Sequence, residues 1–290
     1  MSDLLAKPET QKFSTVFETK RLRVGCCNMQ GWRKTMEDAH VTQLNIGGVK
    51  TRAFFGVFDG HQSDEAARFC RSHMLDEVLK ALDAHPRNYQ DAFETAFKCM
   101  DDLICHKFAA SGTAAVCVYL DQDKIVCANA GDSRAVLFRS GNVIPLSSDH
   151  KPYHEGEEKR IVKAGCAVEN GRVNMTLAVS RALGDLDFKQ AADLDWKEQA
   201  VTALPDVTIT ELTSDDEFII LGCDGIWDVL SNEKCCDFVR EHLLSVESLG
   251  EGMDIAQVCE CLLDECLSTT NTVREGTDNM TVVLVQFKKK

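Results

Sequence analysis

Apolar residues recur every three or four positions in three stretches of the chain. They are Ala67, Cys70, Met74, Val78 and Leu82 between Ser63 and Ala84, and Phe93, Phe97, Met100, Ile104 and Phe108 between Asn88 and Phe108. Ile255, Val258, Cys259, Leu262 and Cys266 repeat the pattern near the C-terminal end. This spacing predicts three amphipathic helices, each turning one stripe to a core and giving it no chemical role. Short apolar runs between them predict strands at Ala53–Phe58, Ala114–Leu120, Lys124–Ala128, Arg134–Phe138, Glu217–Leu221 and Thr281–Phe287. The turns Asp121-Gln122-Asp123, Gly131-Asp132-Ser133 and Ser140-Gly141-Asn142 are brief, so each predicts an antiparallel hairpin between the runs it joins. A meander of this kind excludes a doubly wound parallel sheet. It predicts an α+β fold: an antiparallel β-sandwich, sheet on sheet, flanked by α-helices in four layers, αββα.

Composition narrows the picture. With 290 residues, 44% of them hydrophobic, the chain has enough apolar material for one large domain. The polar first 22 residues read as an irregular arm or an edge strand, residues 23–287 as the folded body, and Lys288, Lys289 and Lys290 as a solvated basic tail. The formal charge of −14 argues against nucleic acid or an anionic membrane as partner, since both demand a basic face. The fourteen cysteines are scattered through apolar stretches, as at Cys117, Cys127 and Cys223, and read as small buried hydrophobes rather than disulfides. The vicinal pairs Cys26-Cys27 and Cys235-Cys236 lack the spacing of a zinc site. No secretory leader or membrane-spanning run is evident, and serine after Met1 rules out N-myristoylation. The expectation is a monomer in a reducing compartment, cytoplasm or nucleus.

The placement of acidic residues carries the chemistry. Asp59 directly follows the run Ala-Phe-Phe-Gly-Val-Phe and precedes Gly60-His61; Asp224 follows Phe-Ile-Ile-Leu-Gly-Cys and precedes Gly225. Asp278 stands just ahead of Met-Thr-Val-Val-Leu-Val, Asp132 occupies a tight corner, and Glu37-Asp38 lie near the N-terminus. Singly, each aspartate suits a turn for local reasons. Together they would gather carboxylates at one rim of the sandwich, which costs repulsion unless cations neutralise them. Oxygen-only ligands select hard ions such as Mg²⁺ or Mn²⁺. Glycine after Asp59 and Asp224 would let the backbone pass close to such an ion.

The blocks GWRKTMEDAH, FFGVFDGH, NAGDSRAVLF, SSDHKP, LAVSRALGD, IILGCDGIWDVLS and GTDNMTVVLV, in that order, resemble the motifs of the protein phosphatase 2C family of metal-dependent serine/threonine phosphatases. The likeness runs from about Arg23 to Phe287. It implies a central β-sandwich flanked by helices, with a binuclear Mg²⁺/Mn²⁺ centre in a cleft at one end. By motif, Asp59 would bridge both metals and Gly60 would lend its carbonyl to one. Asp224 and Asp278 would hold the first metal and Glu37 the second, while Asp38 would orient metal-bound water. Asp132 and Asp228, with Asp224, match a weaker third metal site. Arg33 would grip the substrate phosphate, its planar fork matching two phosphoryl oxygens. His61 would protonate the leaving serine or threonine oxygen. The partners implied are phosphoproteins.

Other strong-motif residues read as structural: His150 at the start of a flap, His40 supporting the loop or near the cleft, Arg134, Arg181 and Asp185 in internal pairs, Trp227 beneath the Asp224 loop. The chain departs from the family pattern at Gln62-Ser63-Asp64, at Ala114 in place of threonine, at Cys166 in place of glycine, and at Met175 where glycine is common. None of these removes a ligand, so an active phosphatase is expected. The alternative is a catalytically silent pseudophosphatase serving as a protein-binding module.

Overall fold

The computed structural model describes residues 4–248, 254–272 and 275–289. Residues 1–3 of the arm and 290 of the tail lie outside them. In chain order the elements are β1 (Leu4–Glu18), β2 (Leu22–Arg33), β3 (Ala39–Leu44), β4 (Ala53–His61), α1 (Glu65–Ala84), α2 (Tyr89–Lys107), β5 (Gly112–Asp121), β6 (Lys124–Ala130), β7 (Arg134–Arg139) and β8 (Asn142–Pro145). Then come α3 (Glu155–Lys163), β9 (Val168–Glu169), β10 (Arg172–Val173), β11 (Leu183–Gly184), β12 (Asp206–Glu211), β13 (Asp216–Gly222), α4 (Asp224–Trp227), α5 (Asn232–Ser248), α6 (Ile255–Cys266) and β14 (Met280–Phe287).

One sheet runs β1-β2-β14-β13-β7-β8 and the other β12-β6-β5-β4-β3, with β11 beside β5. All their strand pairings are antiparallel. The fold is α+β, and its central strands read as unbroken apolar runs because both their faces are covered. Phe55, Val57, Val116, Val118, Leu137, Ile219, Leu221 and Val283 fill the space between the sheets. On alternate positions Phe54, Phe58 and Tyr119 face α1 and α2, meeting Met74, Phe93 and Phe97. Met29, Val136, Phe218 and Ile220 face the other way, onto Val258 and Leu262 of α6. The two sheets and their two helical coats form the four layers.

The three striped helices form α1, α2 and α6, and the six apolar runs form β4, β5, β6, β7, β13 and β14. Two of the three predicted hairpins form, β5–β6 and β7–β8. The third does not. Gly131-Asp132-Ser133 carries the chain from one sheet to the other, β7 pairing with β13 instead of β6. Brevity of a turn limits the distance between strand ends but not the layer each enters, and an Asp132 on such a corner sits at the rim of both sheets. The first segment is the edge strand β1, in register with β2 from Lys12↔Met29 to Glu18↔Arg23. Elements absent from the periodicity reading include β2, β3, β12, α3 and α5; β12, with Ile209 half-exposed, has no continuous apolar face to announce it.

Candidate active site

Antiparallel pairing puts the end of one strand beside the start of the next, which is how acidic residues far apart in sequence meet. Gly222, two residues before Asp224, lies opposite Val282, four after Asp278. Met280 opposite Met29 brings in the end of β2, and Ala39 opposite Phe58 sets Asp38 beside Asp59. Gly222 opposite Arg134 adds the Asp132 corner. A cleft of about 560 Å³ at this rim is lined by Arg33, Glu37, Asp59, Gly60, His61, Asp132, Asp224, Asp228 and Asp278. Every residue the sequence singled out for the site is there except Asp38, which lies buried just below.

Asp59, Asp132 and Asp224 each offer a carboxylate oxygen, and these lie within 4.8 Å of one another. Burial, followed by mutual repulsion, pushes the carboxyls of Asp59 and Asp224 well above the ordinary range. Such a cluster is costly unless a cation shares it, and an all-oxygen donor set fits Mg²⁺ or Mn²⁺. The glycines also make room for neighbouring backbone. A Cβ on Gly60 would lie 2.4 Å from the Glu37 carbonyl oxygen, and one on Gly225 2.0 Å from that of Asn279. Each Asp-Gly pair therefore lets its strand end touch the backbone that carries another acid of the cluster.

Asn279 completes the knot. Its Oδ1 accepts from the Glu37 amide at 2.9 Å, and its Nδ2 donates to the carbonyls of Gln30 and Thr35 at 2.8 and 2.9 Å. Arg33, half-exposed at the cleft mouth, bonds through Nη2 to Asp278. Asp38 accepts from Thr281 Oγ1 at 2.7 Å; burial and the neighbouring Asp278 and Glu37 charges push its carboxyl up to about 7, against the pull of that hydrogen bond.

His61 is clamped. Its Nε2 lies 2.9 and 2.8 Å from the two oxygens of Asp185. Burial would drive the imidazole toward neutrality, but the Asp185 charge and hydrogen bond outweigh it and raise the pKa. Asp185 stands in the left-handed region at φ 53°, its amide bonded to the Ser111 carbonyl. The preceding Gly184 amide donates to Asp101 of α2 at 2.8 Å, and Asp101 pairs with Lys189 at 2.5 Å. So Asp185 is an internal pair, as its motif suggested, but its partner is the catalytic candidate. Sequence reading missed that, and also Asn279 and Thr281, since nothing local marks them.

The structural assignments fall out as ion pairs and packing. Arg134 forks onto Asp149 at 2.8 and 2.9 Å. Arg181 bonds Glu157 and Asp206, each at 2.8 Å. His150 is buried, accepting the Gly131 amide at Nδ1. Trp227 packs under the Asp224 loop with Nε1 on the Gly222 carbonyl at 2.8 Å. His40 lies in β3, outside the cleft lining, with its buried Nδ1 unpartnered among the described residues and its pKa pushed down to about 4 by burial. From the flap, Thr176–Val179 line the cleft; Met175, just before them, is 64% exposed at φ 59°. Asp64, the extra carboxylate at the start of α1, pairs with Arg68 at 3.1 Å.

Comparison with known proteins agrees with this geometry. Residues 22–274 match the family model described as "Protein phosphatase 2C". Protein phosphatase 2C homolog 2 of Schizosaccharomyces pombe is 40% identical over 99% of this chain and 79% of its own length. A probable protein phosphatase 2C of Caenorhabditis elegans is 43% identical over 98% of this chain and 80% of its own. Among solved structures, a phosphatase from a pathogenic strain of Toxoplasma gondii superposes with a TM-score of 0.79 at 26% identity, over 97% of this chain and 96% of that one.

Proposed function

Because this chain belongs to the protein phosphatase 2C family and is a metal-dependent protein-serine/threonine phosphatase, we propose that it cleaves phosphoserine and phosphothreonine at a binuclear Mn²⁺ or Mg²⁺ centre. The observation that carries the reading is the convergence, in one cleft, of the carboxylates with Arg33 and the His61–Asp185 pair. Asp59, the carbonyl of Gly60, Asp224, Asp278 and Glu37 would hold the two ions, with Asp132, Asp228 and Asp224 holding a weaker third. Bound there, such ions would lower the pKa of an attacking water and offset charge on the phosphoryl oxygens.

The chain's own groups do the rest. Arg33 stands half-exposed at the mouth, where its guanidinium can trade the Asp278 carboxylate for two phosphoryl oxygens. His61 commits Nε2 to Asp185, so the proton it offers a leaving alkoxide is the one on Nδ1. Asp185 keeps that imidazole oriented and favours its charged form, the one that can act as an acid. Asp38, held by Thr281 beneath Asp59, would orient the attacking water. No observation favours the alternative of a silent binding module.

The decisive test is hydrolysis of a phosphothreonine peptide after EDTA treatment, with Mn²⁺ or Mg²⁺ restored and Asp224→Asn as control. Turnover regained by the wild type alone is the expected result. A folded, metal-loaded wild type that leaves the peptide intact would sink the proposal.

A further inference from the structure

The segment leading from β8 to the flap is held at three consecutive residues. Asp149 takes the fork of Arg134 at 2.8 and 2.9 Å. His150 accepts the Gly131 amide at Nδ1 (3.1 Å), meets Asp206 at Nε2 (3.1 Å), and donates its own amide to the Gly131 carbonyl (2.9 Å). Lys151 follows, its stem aimed by these fixed neighbours rather than left free. Its Nζ lies 2.5 Å from Asp132 Oδ2, with the two side chains only 17% and 4% exposed. Asp132 is also one of the three carboxylates whose oxygens gather within 4.8 Å.

We propose that Lys151 is a tethered cation that competes with a divalent ion for Asp132 and so sets how weakly the third metal position binds. The inference rests on the metal-centre reading above. An ammonium delivered by its own backbone acts at high effective concentration, so a divalent ion must break a preformed contact to use Asp132. Having done so, it leaves a positive charge beside itself in a poorly solvated place. The two core positions draw on Asp59, Asp278 and Glu37, none of which contacts Lys151, and share only Asp224 with the third. Weakness of the third position is then a property of Lys151, not of a poor ligand set.

The test is calorimetric titration of Mn²⁺ into the metal-stripped full chain, comparing wild type, Lys151→Met and Lys151→Arg. Lys151→Met is expected to tighten the weakest equivalent by about tenfold or more, or to reveal a third one, with the tighter two nearly unchanged. Lys151→Arg, which keeps the charge, should stay weak. An unchanged or weaker third equivalent in folded Lys151→Met overturns the inference and leaves the metal centre standing. A wild type that takes up no Mn²⁺ overturns both. If Lys151→Met does not fold, reductive methylation of the wild type at rising Mg²⁺, read by mass spectrometry, decides. Labelling of Lys151 that climbs through the range of the weakest equivalent supports displacement, and flat labelling refutes it.

Discussion

At the residue scale, the acids of the cleft are costly when no cation offsets them. Burial and repulsion raise Asp224 and Asp59 together. Asp224→Asn should therefore abolish turnover and remove metal uptake at its position while the metal-free protein melts no lower than wild type. Calorimetry of Mn²⁺ binding and thermal denaturation check the two halves. His61 and Asp185 make a second prediction. His61→Ala should slow alkyl phosphates by ~10²–10⁴ and p-nitrophenyl phosphate far less, because only a poor leaving group needs the proton. Asp185→Asn withdraws the charge that raises His61, so the alkaline limb of the pH–rate profile should move to lower pH. Equal losses on both substrates, with an unmoved limb, would refute the acid role. The Asp-Gly pairs were visible in the sequence as possible ion contacts; their steric reason, a backbone passing at Glu37 and Asn279, was not. Which backbone a glycine makes room for depends on strands distant in sequence.

At the scale of elements, α3 shows how the flap is fastened. Only Ile161 gives this helix a buried apolar residue, so its polar sequence betrays no stripe. Glu157 instead takes Arg160 at 2.7 Å and Arg181 at 2.8 Å, and accepts from Ser180 Oγ at 2.6 Å. Arg160 in turn donates to the carbonyls of Ser180 and Gln199, tying helix, flap and the approach to β12 together. Glu157→Ala would leave Arg160 without its acid and Arg181 with Asp206 alone, and should cost about 3 kcal/mol in urea unfolding. Burial alone would raise the Glu157 carboxyl, but Arg181 and Arg160 hold it down to about 2. The folded pKa is thus below the ordinary value of 4.5. Its stabilisation is present above that value and is lost as pH falls toward about 2. The wild-type advantage over Glu157→Ala should shrink across that window. An advantage independent of pH would show that packing, not charge, is at stake.

For the whole molecule, metal and stability are linked. Asp38, Asp59 and Asp224 have folded pKa values raised above their unfolded ones. Their contribution is complete below the unfolded pKa and is lost as pH rises through the folded one, about 7 for Asp38. The metal-free protein should therefore lose stability between mildly acidic and neutral pH. Mn²⁺, bound by the ionised cluster as proposed, should raise Tm more at neutral pH than in mild acid. Scanning calorimetry at several pH values, with and without Mn²⁺, reads this directly. A metal-independent Tm would refute the linkage. A net charge of −14 adds general repulsion, whereas this effect is confined to one rim.

The sequence by itself determined the layers and the rim. Periods of 3.6 and continuous apolar runs are local consequences of which faces are buried, so α1, α2, α6 and six strands were legible, as was the gathering of Asp59, Asp224 and Asp278 at strand ends. Tertiary structure alone decided what depends on partners remote in the chain. It sent β6 and β7 into different sheets, set Asp185 on His61 across 124 positions, and aimed Lys151 at Asp132 through a segment pinned at the two residues before it. A hydrogen bond or ion pair leaves no periodic trace in sequence, because its two ends are chosen by the packing of the sheets between them.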